Sequence, residues 1–186
     1  MKYHTQKTMR RGAIAGLGLL VLSACQTTGT TPETDMSFRK DRFDEVMRIE
    51  AFHTCKEEAL ALDAKARTRD SSGAYITSAR VMTKCETQLG TDPRGVSVDE
   101  RMRLSALSVV NYMKGGDSES ARTTLIGFKN TFPERDLYFA DGSSFIETTE
   151  LLLGQRETVG FGTFSTMNVS GDVKNEMRRI QHWKNK

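Results

Sequence analysis

Residues 38–186 predict an all-α fold, a stack of antiparallel helical hairpins finished by an extended segment and a terminal helix. Three observations carry that expectation. Apolar residues recur at steps of three and four through most of the chain, which is the helical period. Clusters of Gly, Asp and Ser fall between the periodic stretches, near residues 70–73, 91–95, 115–117 and 141–143. Strand-like alternation of apolar with small or polar residues is confined to Val159–Val169, which reads as a strand or an extended loop lying across the helices.

The first helix is expected over Phe38–Arg67, a span without Pro or Gly. Its inward stripe is Ile49, Phe52, Cys55, Ala59, Leu62 and Ala66. After Asp70-Ser71-Ser72-Gly73, a second helix over about 74–89 carries Tyr75, Met82, Cys85 and Leu89 on one face and stops at Gly90. Cys55 and Cys85 each stand 15 residues from residue 70. In an antiparallel hairpin, equal offsets from the turn put two residues at equal height, roughly 22 Å from it. That is where two Cα atoms can approach within disulfide range. The bond would close a loop of about 30 residues and contribute roughly 3 to 4 kcal/mol through lost chain entropy.

Ser97-Val98-Asp99-Glu100 has the pattern of a capping box opening the third helix, Val98–Lys114. Met102, Leu104, Leu107, Val109, Val110 and Met113 make its apolar face wide, which implies neighbours on more than one side. Gly115-Gly116-Asp117 turns the chain into a fourth helix that buries Ala121, Leu125, Phe128 and Phe132 before Pro133 ends it. A short fifth helix, Ser144–Leu153, is expected to point Phe145, Ile146, Thr149, Leu152 and Leu153 inward. The last helix, about 171–184, carries Val173, Met177, Ile180 and Trp183 on one side and Lys174, Arg178, Arg179, His182 and Lys184 on the others.

Ahead of these helices the composition changes twice. Residues 1–11 carry Lys2, Lys7, Arg10 and Arg11 with no acid, and Gly12–Leu22 is an unbroken run of 11 apolar and Gly residues. A charged start, a short apolar middle and a small-residue end are the build of a secretory signal peptide. The apolar run is well short of the roughly 20 residues a transmembrane helix needs. Leu22-Ser23-Ala24-Cys25 resembles the lipobox of bacterial lipoproteins. The resemblance implies that residues 1–24 are removed, that Cys25 is diacylated, and that its new amino group is acylated. Gln26, where an Asp would signal retention in the inner membrane, implies the periplasmic face of the outer membrane. Residues 26–37, polar and Thr-rich with Gly29 and Pro32, read as a flexible tether between lipid and domain.

Removing the leader changes the electrostatic picture. The whole chain has 27 Lys and Arg against 24 acids, net +3, but four of those basic residues and no acid lie in the leader. The mature 162 residues hold 23 against 24, net −1, so the basic balance belongs to targeting and supplies no case for nucleic acid. Export places Cys55 and Cys85 in an oxidising compartment, where a disulfide persists. A zinc site would need more ligands than His53 and His182 supply, so no metal or cofactor is expected.

The third and fourth helices resemble a tetratricopeptide repeat, with Tyr112, Ala121, Leu125 and Pro133 at that family's relative spacings of nine, four and eight. The first helix of the unit departs from the pattern. Ser105, Ser108 and Val109 stand where the family has Trp and Leu-Gly, and Phe128 replaces a small residue. Such a repeat implies a concave surface for a protein partner; an ordinary helical bundle is the alternative.

No nucleophile motif, zinc-protease motif or phosphate loop is present, and Gly160-Phe161-Gly162 is too short for a dinucleotide fingerprint. The expected role is therefore a non-catalytic adaptor with no small-molecule substrate. Anchored lipoproteins of this architecture resemble accessory subunits of secretion, pilus and export machines, pilotins among them. An inhibitor or regulator of an envelope enzyme is the alternative, and a peptidoglycan-acting enzyme a more remote one. Arg122 and Lys129 on the fourth helix, with Arg178, Arg179 and Trp183 on the last, are the candidate partner-binding residues. The lipobox reading is tested at Cys25. Cys25→Ser should leave the precursor unprocessed and abolish fatty-acid labelling; a mutant that is still labelled refutes it.

Overall fold

The structure is a computed structural model, and it describes residues 32–90, 93–156 and 166–184. Among the described residues six helices follow one another: α1 (Pro32–Arg69), α2 (Ser72–Leu89), α3 (Val98–Gly115), α4 (Ser118–Thr131), α5 (Phe145–Leu152) and α6 (Gly171–Lys184). Among the described residues no strand forms, and only an isolated antiparallel bridge joins Tyr138 to Ser144. The fold is all-α, and α1 to α4 pack each on the next as two stacked hairpins. Leu22–Cys25, residues 26–31 of the expected tether and residues 157–165 of the alternating segment lie outside the described residues.

Helix α1 begins six residues before the expected start, so residues 32–37, read as tether, are helical. Pro32 explains the difference. At the first helical position its fixed φ suits the helix and its missing N–H is no loss. The first hairpin turns at Asp70, which takes a left-handed φ of 46°. Its core is Phe52, Ala59, Met82, Cys85 and Leu89, with Ile49 and Cys55 packed against it. Cys55 and Cys85 have Cα atoms 5.6 Å apart and sulfurs at disulfide distance, so the equal-offset register holds.

Helix α3 divides the molecule. Leu104 and Leu107 face the first core, whereas Met102, Ala106, Val109 and Tyr112 face a second one. That second core takes Ala121, Leu125, Phe128 and Phe132 from the next hairpin and Phe145 and Leu153 from α5. Phe128 lies 5.2 Å from Phe132 and 5.3 Å from Phe145, centroid to centroid. The wide apolar face of α3 is thus two faces serving two cores.

The two glycines between α3 and α4 do different work. Gly116, at φ 82°, donates its N–H to Met113, and the next N–H, of Asp117, goes to Tyr112. That pairing closes two orphan carbonyls of α3 in a left-handed turn open to glycine. Gly115 instead permits close approach, since a Cβ there would stand 2.4 Å from Cγ1 of Ile76 on α2. Asp117 then caps α4, accepting from Ser120 N and Oγ at 3.0 and 2.8 Å. Those two bonds hold its carboxyl below the usual carboxylate range. Ser97 and Ser144 cap α3 and α5 in the same manner.

Between the helices of the two hairpins runs a buried polar junction that the apolar stripes do not reveal. Asp63 of α1 is 1% exposed. Nδ2 of Asn111 on α3 donates to Oδ1 of Asp63 at 2.9 Å and to Oγ of Ser78 on α2 at 3.3 Å. Ser78 in turn donates to the Ala59 carbonyl at 2.9 Å. Arg67, one turn beyond Asp63, supplies a countercharge to Oδ2 from the solvent side. A second cross-link joins α2 to α3 through Glu86 and the buried Arg101, whose guanidinium also lies 5.3 Å above the Phe132 ring.

One apolar assignment differs from expectation at the C-terminal end. Leu152 is 47% exposed, and Leu151 takes its place inside with Met167 and Val169. Phe145, with Leu153 just past the end of the eight-residue α5, joins one core and Leu151 another, so no single stripe describes it. Trp183 is 63% exposed; only Val173 and Met177 of α6 pack on the small third cluster. The disulfide is open to direct test. Non-reducing peptide mapping should link Cys55 to Cys85, and Cys85→Ser should lower unfolding stability by about 2 to 5 kcal/mol. Free thiols at both positions in protein purified under oxidising conditions would contradict the register of the first hairpin.

Candidate functional site

Helices α1 and α3 lie side by side with α2 behind them, and the space between their outer faces is an open groove of about 530 Å³. Leu104 and Leu107 form the floor from α3. Leu60 forms the α1 wall and is 39% exposed, because it projects off the inward stripe that Ala59 occupies. The rim is charged: Lys56 from α1, and Asp99, Glu100 and Arg103 from the first turns of α3. Ser97 fixes this end of α3 by accepting from Glu100 N at 3.2 Å. The Glu100 carboxylate reaches the Lys56 ammonium, and His53 Nδ1 lies 3.5 Å away. An apolar floor with a mixed charged rim suits a peptide segment bearing an apolar side chain.

The residues singled out from sequence do not converge on this groove. Cys25 lies outside the described residues, and Cys55 and Cys85 are bonded within the first hairpin. Arg122 has a task inside the fold. Its Nε and Nη2 donate to the Leu153 carbonyl at 3.1 and 2.9 Å, satisfying a C-terminal group of α5, and Nη1 reaches Glu119. Lys129 donates to Oε1 of Glu150 at 2.6 Å, which ties α4 to α5 again. On α6, Arg178 bonds Asn175 and Arg179 pairs with Glu176, while Trp183 stands largely exposed. Sequence reasoning missed Lys56, Leu60, Glu100 and Arg103. The one signal was Leu60, an apolar residue beside the α1 stripe with no place on it.

Among the described residues no three His, Cys, Asp or Glu side chains gather in a way that would hold a metal ion. Nor is any described helix long and apolar enough to cross a membrane. No protein-family model, curated protein or solved structure matches the chain.

Glu150 shows how much the α4–α5 seam depends on charge. Burial alone would raise its carboxyl, but hydrogen bonds from Lys129 and Arg156 and their positive charge outweigh burial and hold it below the ordinary glutamate value. A carboxyl lowered in the folded state stabilises above its unfolded pKa, and that contribution fades as pH falls through the folded value. Glu150→Gln should therefore melt below wild type at pH 7, with the gap closing as the pH drops below about 4.3. Melting curves of both proteins from pH 7 to pH 3 check this, and a gap that widens in acid would contradict it.

Proposed function

We propose that this protein is a lipid-anchored, non-catalytic adaptor of the bacterial envelope, held at the periplasmic face of the outer membrane through Cys25. In this reading it binds a partner protein in the α1–α3 groove. The groove is the observation that carries the reading: an exposed Leu60 over an apolar floor, with charges of both signs on the rim. The Leu22–Cys25 motif supports the location, and the stacked hairpins support the role, since neighbouring helix pairs present continuous surfaces to peptides. The kind of assembly, by analogy of anchor and architecture, is a secretion, pilus or export machine, with this chain in a pilotin-like part. Within this reading the third and fourth helices are a tetratricopeptide-like unit, supported by burial of Tyr112, Ala121 and Leu125 at the family's positions.

Arg122 and Lys129 are poor probes of such a surface, because their loss would disturb the α4–α5 seam. Leu60 and the exposed Arg103 are better. A photo-crosslinker at residue 60 in living cells should capture one defined protein, and Leu60→Asp should weaken that partner by about tenfold or more, the usual effect at a central anchor. Arg103→Glu should mainly slow association, with the loss deeper at low salt than at high. Melting temperatures of both variants should match wild type. Equal capture from residue 126 on α4, or turnover of peptidoglycan by the purified chain, would refute the proposal.

A further inference from the structure

The first four turns of α1 carry an apolar stripe that the fold does not use. Met36, Phe43, Val46 and Met47 are exposed, Phe43 to 64%, and none belongs to any of the three apolar clusters. At about 100° per residue, Met36, Phe43 and Met47 fall on one line of the helix, roughly 140° to 160° from core-facing Phe52 and Ala59. Charge is sorted around that line. Arg39 and Lys40 flank it, the acids Asp41 and Glu45 lie on the far side together with Arg42 and Arg48, and Asp44 at the edge is paired with Lys40 at 3.1 Å. Glu50 closes the stripe one turn past Met47, and the same face then continues through Glu57 and Glu58. On this face the large apolar side chains are confined to the end of α1 nearest Cys25.

We infer that residues 36–47 of α1 lie in the headgroup region of an anionic phospholipid surface, as a second point of attachment beside the lipid. The inference rests on the lipid anchor proposed above and adds to it an orientation. Only six residues, 26–31, separate Cys25 from Pro32. Fully extended they reach about 20 Å, so an anchored chain cannot carry this helix away from the bilayer. An apolar stripe bordered by basic residues is the composition that seats a helix in the interface plane. With the stripe down, the core-facing side of α1 points away from the membrane and lifts both hairpins off it. A second copy of the chain fits less well, because the stripe spans under two heptads and is bordered by Lys40.

The lipidated protein purified from membranes and reconstituted in vesicles of phosphatidylethanolamine and phosphatidylglycerol tests this. Trp183→Phe removes the single native tryptophan. In that background, Phe43→Trp should give blue-shifted emission quenched about twofold or more by lipids brominated near the headgroup. Ala61→Trp, on the same face 14 residues past Met47, should be unquenched. Quenching at residue 43 should fall when phosphatidylcholine replaces both lipids. A chain that floats with the vesicles but shows no quenching at residue 43 overturns the inference and leaves the anchor standing. Disulfide trapping of dimers by Phe43→Cys, with no quenching, overturns it in favour of a second copy. A chain that carries no lipid and does not float overturns the anchor and this inference together.

Discussion

A carboxylate sealed between three helices sets how the two hairpins fit together. Burying an ionised Asp costs several kcal/mol unless it is paired and hydrogen-bonded. Asp63 meets that cost with Arg67 on its own helix and with Asn111 from α3, whose amide also reaches Ser78 on α2. Asp63, Ser78 and Asn111 meet at one height, one from each helix, with Arg67 one turn further along α1. Sliding α3 by a single residue would move Asn111 about 1.5 Å along the axis and turn it about 100° away, leaving the carboxylate with Arg67 but without its donor from α3. Apolar packing alone tolerates such slips more readily, since Leu, Val and Met side chains repack. On this view the Asp63–Asn111 bond is what fixes α3 against the first hairpin.

The groove follows from that register. With Asn111 opposite Asp63, the opposite end of α3 brings Glu100 to Lys56 and places Leu104 and Leu107 beside Leu60. The disulfide holds α1 and α2 together at the same end of the hairpin, so the groove wall is not free to splay. Further along, α5 is fastened to α4 mainly by charge: Arg122 on the Leu153 carbonyl and Lys129 on Glu150. Helix α6 hangs from α5 through Val173 and Met177 alone among its apolar residues in that cluster. Stability should therefore decline along the chain from the clamped hairpin to the terminal helix.

Most of the helical layout was legible because the apolar stripes of α1 to α4 are regular and the turns between them contain Gly, Asp and Ser. The height of the disulfide followed from helix rise alone. What was not legible involves polar residues with structural tasks. Asp63 and Asn111 look like solvated positions until the tertiary fold buries them, although Asp63 does fall between Ala59 and Ala66 on the inward stripe. Arg122 reads as an exposed charge because its acceptor, the Leu153 carbonyl, is 31 residues away. Pro32 within a polar, Thr-rich run reads as a helix breaker, whereas at a first helical position it is favourable. Leu152 fits an inward stripe by spacing, but a helix as short as α5 does not present one stripe to one core.

The direct test of the Asp63–Asn111 constraint is a double-mutant cycle. Asp63→Ala, Asn111→Ala and the double variant would be unfolded in urea, with the free energies compared. A structure held in register by this pair predicts that the double variant loses less than the sum of the single losses by at least about 1 kcal/mol, the coupling expected of residues in one network. Losses that add to within about 0.5 kcal/mol would mean the two side chains act independently. In that case the register of α3 would have to come from apolar packing alone.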